Sequence, residues 1–262
     1  MFTSEEAVKF NEEDLEAFAD AVKFSVISAL SRKKREGRMR LSLIGHPERK
    51  IWNEVKNVPK QALSGPTLVK FLYGDILEQL LILLVKTSGH MVTDNQKEVL
   101  VNGVTGHQDA LVDGVLVDFK SASPHSFKKF KDGTVIDDDP FGYIAQLSAY
   151  AYANKIKKAG FLAIDKSSGE IVFCPIHEMD MIDPVGRIAF LNKLIEKDTP
   201  PPHCYPPVAD GKSGNEKLAI GCAYCDFKKA CWPSLRAFDY SNGIRYFTKI
   251  VKEPEVPEIK EF

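Results

Sequence analysis

The sequence predicts an α/β protein built on a mixed sheet, with helical additions at both ends. Three observations carry that class. Residues 66–86 hold a long apolar helical run, and residues 97–122 switch to a strand period around Asp113-Gly114. A helix over about residues 141–158 is then followed by two more strands. Helices and strands in this order bury their apolar faces by layering helices on one sheet.

Taken in order, residues 4–35 read as a helix, with Ser4 as N-cap and Leu15, Phe18, Ala19, Val22 and Val26 on one face. Gly37 ends it. A stretch punctuated by Pro and Gly runs from Gly45-His46-Pro47 to Ser64-Gly65-Pro66. The second helix begins after Pro66 and ends near Lys86. Its Leu68, Leu72, Ile76, Leu80 and Leu83 are joined by Leu77, Leu81 and Leu84, so most of its circumference is apolar and burial is expected. Lys97–Asn102 is a short strand. Thr105–Val112 and Val115–Ser121 then flank Asp113-Gly114, a dipeptide favoured in two-residue hairpin loops. Residues 123–140 are polar and read as a mobile loop. After the helix at 141–158 come strands at Gly160–Asp165 and Glu170–Pro175, and a last helix from Pro184 to Lys197. The Pro-rich segment Pro200–Pro207 leads into a cysteine-rich stretch. These breaks divide the chain into a helical region (1–65), a core (66–199), a cysteine-rich module (200–239) and a tail (240–262).

The 262 residues are 44% hydrophobic with a formal net charge of -1, so the whole-chain charge does not advertise a polyanion partner. No apolar run is long enough to span a membrane, since Ile76–Val85 is short and contains Glu78 and Gln79. The acidic start, Ser4-Glu5-Glu6, is unlike a secretory signal, which points to the cytoplasm. In a reducing compartment the five cysteines read as thiols or metal ligands. One basic run, Arg32-Lys33-Lys34-Arg35 with Arg38 and Arg40, suits either a helix C-terminus or phosphate contacts.

The hairpin concentrates the charge. With Asp113-Gly114 as its loop, Leu111 faces Leu116, Asp109 faces Asp118 and His107 faces Lys120. Alternation places His107, Asp109, Asp118 and Lys120 on one face, and Val115, Val117 and Phe119 on the other. Carboxylates directly opposite one another repel. A divalent cation such as Mg2+ or Mn2+ removes the repulsion, because it takes hard oxygen ligands. The alternative is a solvated sheet face on which Asp118 pairs with Lys120 or His107. Glu78 adds a third carboxylate from a helix otherwise rich in Leu and Ile, where a lone charge is costly; a narrow polar stripe with Lys70, Asp75 and Gln79 is the competing reading. Gly74, one turn earlier, would allow close backbone approach. Three carboxylates with a lysine suit phosphodiester hydrolysis.

In order along the chain, Gly74-xxx-Glu78, Gly106-His107-Gln108-Asp109, Asp118-Phe119-Lys120 and Gln146-xxx-Tyr150 resemble the RecB-type branch of the PD-(D/E)XK nucleases. The resemblance spans about residues 41–235 and implies a restriction-endonuclease-like core. It implies that Asp109 and Asp118 hold the metal, that Glu78 ligates it directly or through water, and that Lys120 acts on the attacking water. It implies DNA contacts from Gln146, Tyr150 and Arg49. Core packing of Tyr150 among Tyr143, Leu147 and Ala151 is the plainer alternative. His90 corresponds to a histidine some relatives place near the metal, although by hairpin geometry His107 is the nearer neighbour.

Cys222-xx-Cys225-x5-Cys231 has the spacing of metal ligands. Relatives with an iron–sulfur cluster carry a similar C-terminal triplet and an upstream fourth cysteine, where this chain has His46. Either Cys204 or His46 completes the set, and Cys204 is preferred because it needs no long-range closure. Four thiolates suit zinc or a [4Fe–4S] cluster alike. Cys174, in an apolar strand, reads as core. The expected function is a metal-dependent DNA nuclease of phage or recombination type, exonuclease before endonuclease, acting on DNA ends or single strands beside replication or recombination proteins. A non-catalytic nucleic-acid-binding module and a structural zinc protein are the rivals.

Overall fold

The computed structural model describes residues 11–31, 37–260 and 262. Ser4 and the Arg32–Arg35 run fall outside them. In chain order the helices and strands are α1 (Glu12–Leu30), α2 (Glu48–Val55), α3 (Gly65–Thr87), β1 (Val92–Thr93), β2 (Glu98–Val101), β3 (Val104–His107), β4 (Ala110–Val112), β5 (Val115–Ala122), α4 (Pro124–Lys131) and α5 (Tyr143–Asn154). Then follow β6 (Ala159–Asp165), β7 (Ile171–Ile176), α6 (Pro184–Ile195), β8 (Val208–Ala209), β9 (Glu216–Lys217), α7 (Ile220–Ala223), α8 (Lys228–Cys231), β10 (Arg236–Tyr240), β11 (Gly243–Lys249) and β12 (Glu258–Ile259). They fall into two compact units. Of the described residues, 11–31, 40–45 and 64–189 form the first, and 37–39, 46–63, 190–260 and 262 form the second.

The first unit is α/β with a mixed central sheet, strand order β1-β4-β5-β6-β7. β5 pairs antiparallel with β4 and parallel with β6, and β7 returns antiparallel. The Asp113-Gly114 turn forms as expected, with both residues at positive φ (49° and 80°) and Leu111 opposite Leu116. Val117 and Phe119 of β5 pack with Ile164 against Leu81 and Ile82 of α3. The opposite face carries Phe161, which meets Phe130 of α4 and Tyr143 of α5. As the central strand, β5 is therefore buried on both sides.

Several expectations need correction. α3 is capped by Ser64, but its N-terminal half exposes Leu68, Val69, Phe71 and Tyr73; apolarity all round did not bury its whole length. Within the described residues α1 begins at Glu12, and its N-cap is Asn11, whose side chain accepts from the Glu13 amide. The segment 123–140 is no plain loop: α4 starts after Ser123 with Pro124 in its first turn and buries Phe127 and Phe130, three residues apart on one face. Thr105–Val112 is not one strand. It breaks at Gln108-Asp109, so β3 pairs with β2 in a separate two-stranded sheet.

In the second unit, residues 240–262 are not a tail. They complete a five-stranded antiparallel sheet of order β12-β10-β11-β9-β8. The segment 46–63, which the linear reading grouped with the N-terminal helix, belongs to this unit: Trp52 Nε1 donates to Lys197 O at 2.9 Å, and Gln61 N to Asp226 O at 2.9 Å. No described helix is long and apolar enough to cross a membrane.

Candidate active site

Asp118 and Lys120 leave β5 on the same face, two residues apart. Asp118 is 1% exposed. Its Oδ1 accepts from Gln146 Nε2 at 3.3 Å, and its Oδ2 is ion-paired with the Lys120 ammonium. Lys120 Nζ also lies 4.7 Å from the centroid of the Tyr143 ring. Burial pulls the lysine pKa down, but Asp118 and Asp109 outweigh it and hold the ammonium above its ordinary range.

Asp109 sits one residue before β4, at the point where the expected long strand breaks. The ladder runs only to Ala110–Val117, yet it points Asp109 at the strand carrying Asp118, and Asp109 Oδ2 accepts from the Phe119 amide at 2.8 Å. Its backbone carbonyl accepts from Gln96 N at 2.9 Å. Buried Gln108 stabilises the break: its Oε1 accepts from Asn154 Nδ2. Glu78 reaches the group from α3, with Oε1 accepting from Gln96 Nε2 at 2.8 Å. Gln96 therefore ties two of the three carboxylate residues together, through its amide to Asp109 and its side chain to Glu78. No periodicity marks Gln96, because it lies in a turn at φ 52°.

The electrostatics are those of crowded anions. Burial raises the Glu78 pKa to about 7, with Asp118 adding to the rise and Gln96 opposing it. Burial, then Asp118 and Glu78, lift Asp109 well above its ordinary 3.8. Among the described residues, no three His, Cys, Asp or Glu side chains stand converged on one point as an ion would draw them. The donor chemistry nevertheless fits a hard cation. Three carboxylates offer hard oxygen donors, and Asp118 raises the proton affinity of both Asp109 and Glu78.

Gln146 and Tyr150 stand one turn apart on α5. The Gln146 amide donates to both Asp118 and Tyr150 Oη (3.3 Å each), and Tyr150 is 2% exposed. The ring is thus core, in line with the plainer alternative, and contact with a bound strand is closed to it. The glycine of the Gly106-xx-Asp109 motif has a physical reason in this ring. A Cβ on Gly106 would stand 2.7 Å from Leu41 Cβ and 3.0 Å from Tyr150 Cε1. Gly74 has no such reason, since a Cβ there would meet Ser121 Oγ at an ordinary 3.6 Å.

The two histidines lie elsewhere. His107 is not opposite Lys120: it pairs with Glu98 across β2–β3, with Nε2 3.8 Å from the Glu98 carboxylate. His90 Nδ1 is 2.7 Å from Asp113 Oδ2, at the hairpin turn.

In the second unit Cys204, Cys222, Cys225 and Cys231 line one small cavity of about 20 Å³, together with Lys50 and Asn53. Cys231 Sγ accepts from Arg49 Nε at 3.3 Å and from Asn53 Nδ2 at 3.5 Å, so Arg49 is spent on this cluster and on Pro201 O. His46 is not among the lining residues; both its ring nitrogens lie 3.4–3.5 Å from Lys50 Nζ. Burial first and the neighbouring cysteines second raise the Cys222 thiol to about 11, and burial likewise raises Cys204 and Cys225. Cys174 is buried, as expected of a core residue.

No family model and no curated protein matches the chain. Among solved structures it is similar to a protein designated SSO0001, with 16% identity and a TM-score of 0.48, over 82% of this chain and 96% of that one. A phage related exonuclease from Haemophilus somnus 129PT matches at 17% identity and a TM-score of 0.45, over 62% and 95%. An alkaline exonuclease from Laribacter hongkongensis matches at 14% identity and a TM-score of 0.37, over 70% and 94%. All three scores lie below 0.5, and the functional reading rests on the chain's own residues.

Proposed function

We propose that this chain is a metal-dependent DNA nuclease, a hydrolase of phosphodiester bonds, with exonuclease preferred to endonuclease. The observation that carries the reading is the gathering of half-buried Glu78 and Asp109 and buried Asp118 around Lys120. Mg2+ or Mn2+, held by these three carboxylates, would supply an acidified water and neutralise phosphate charge. Lys120, kept charged by Asp118 and Asp109, places an ammonium where charge builds up on the phosphate and where an attacking water is oriented. Gln146 fixes the Asp118 carboxylate, the Phe119 amide fixes Asp109, and Gln96 fixes Glu78.

A binding module without chemistry has no use for three mutually repelling carboxylates, one buried and two half-buried, which cost stability unless something repays them. We read Cys204, Cys222, Cys225 and Cys231, which line one cavity, as ligands of a second, structural centre of zinc or [4Fe–4S], with Cys204 preferred to His46; among the described residues their thiols are not converged on one point. The donors on Cys231 Sγ suit a metal-bound thiolate.

The test is digestion of end-labelled linear DNA, single- and double-stranded, beside covalently closed circles, in Mg2+, Mn2+ and chelator. Mononucleotides released from linear DNA only, in metal only, are expected. Nicked circles would turn the reading to an endonuclease, and intact DNA throughout would overturn the nuclease.

A further inference from the structure

Lys120 also lines a cleft of about 530 Å³, bounded by the end of β5, α4, the segment leading into α5, the turn after β6, and Lys70 and Tyr73 of α3. A volume of this size accommodates a nucleotide-sized ligand. Two features of the lining bear on what it holds. The first is aromatic. Phe141 is 48% exposed and lies nearly parallel to Tyr143, with centroids 5.4 Å apart at 24°; Tyr73, 55% exposed, lines the same cleft. The Phe141–Tyr143 stack is thus continuous with the lysine of the cluster.

The second is charge. Four lysines line the cleft (Lys70, Lys120, Lys129 and Lys166) against Asp138 and Asp139, in a chain of net charge -1. Both aspartates are committed. Asp139 accepts the Tyr143 and Ile144 amides at the start of α5, and Asp138 pairs with Lys129. Among the described residues, Lys70 and Lys166 have no acidic partner and remain available to an incoming anion.

Singly exposed aromatics are ordinary. Two in one cleft, beside uncommitted cations and the candidate catalytic lysine, form the combination that holds single-stranded nucleic acid: rings stack on bases, and lysines follow the phosphates. A ring face reads a base only when that base is unstacked from its neighbour, and within a duplex both faces are covered.

We propose that this cleft seats an unpaired nucleotide of the DNA strand, its base stacked on Phe141 and its phosphates held by Lys70 and Lys166. The inference rests on the nuclease reading and names the form of substrate that reading leaves open.

The test uses the full chain in buffer without added Mg2+ or Mn2+, and a ten-nucleotide single-stranded oligodeoxythymidylate carrying 2-aminopurine at each position in turn. Stacking quenches that fluorophore. Wild type is expected to quench it strongly at a restricted position. Phe141→Ala should remove the quench and weaken binding about 5- to 100-fold, and Phe141→Trp should restore both. Lys70→Ala and Lys166→Ala should each reduce the log–log salt slope by about 0.7. No quench at any position in wild type, or wild-type quench and affinity in a folded Phe141→Ala, overturns the proposal. Cleavage assayed in parallel separates the two claims. DNA cut in Mg2+ without a Phe141 effect sinks the cleft alone; a Phe141 effect without cutting sinks the nuclease alone.

Discussion

Asp109 Oδ2 accepts a hydrogen bond from the Phe119 amide at 2.8 Å, which fastens one carboxylate to the strand that carries the other. Phe119 lies between Asp118 and Lys120, so the bond aligns Asp109 with both. The carboxylates are held by separate devices, and each device makes its own prediction.

Gln96 is a positioning residue. Gln96→Ala removes the hydrogen bond to Glu78 and leaves the backbone bond to Asp109 intact. Cleavage should slow about 10- to 100-fold with thermal stability nearly unchanged, by analogy with groups that orient metal ligands. Gln96→Glu, which sets an anion against Glu78, should be slower still. Wild-type rates in Gln96→Ala would remove Gln96 from the site.

Gly106 leaves no room for a side chain. Gly106→Ala drives a methyl into Leu41 and the Tyr150 ring, so urea unfolding should show a loss of about 1–3 kcal/mol. Because Tyr150 shares the Gln146 amide with Asp118, activity should fall too. Gly65→Ala, at an open helix start, is the control and should be within about 1 kcal/mol of wild type.

In the second unit, Asp210 pairs with Lys217 at 2.7 Å and Arg245 at 3.0 Å. Burial alone would raise its pKa, but the two cations outweigh it and hold the carboxyl below its ordinary 3.8. With the folded pKa below the unfolded one, the stabilisation is present above about pH 4 and is lost as pH falls through the folded value. Asp210→Asn should cost about 1.5–3 kcal/mol at neutral pH, and the gap to wild type should close in acid. A gap independent of pH would contradict the ion-pair account.

The cysteine centre is tested by metal analysis of freshly purified protein. Cys204→Ser and Cys222→Ser should lose the bound zinc or iron and melt at lower temperature, whereas His46→Ala should keep it. Loss in His46→Ala with retention in Cys204→Ser would reverse the choice of fourth ligand. A brown solution marks iron–sulfur, and a colourless one with zinc marks the single ion.

What was legible in the sequence was what local rules govern. Asp113-Gly114 set the hairpin register, and β5, with Asp118 and Lys120 on one face, followed from alternation. The break at Gln108-Asp109 was not legible. It depends on Asn154 reaching Gln108 from a helix 46 residues away, and on a turn in which Asp94 and Gln96 adopt positive φ. His107 was misplaced for that reason alone. The helix at 124–131 had its signals in Ser123-Pro124 and in Phe127 with Phe130, outvoted by the surrounding lysines and aspartates. The second unit joins 46–63 to 190–262 through contacts such as Trp52 with Lys197, which no periodicity encodes.

The most direct test of the central claim compares wild type with Asp118→Asn and Lys120→Ala in Mg2+, measuring cleavage of a labelled DNA strand and, separately, DNA binding and thermal stability. Each substitution should slow cleavage about 100-fold or more while the protein stays folded and still binds DNA. Wild-type cleavage rates in both variants would contradict the assignment.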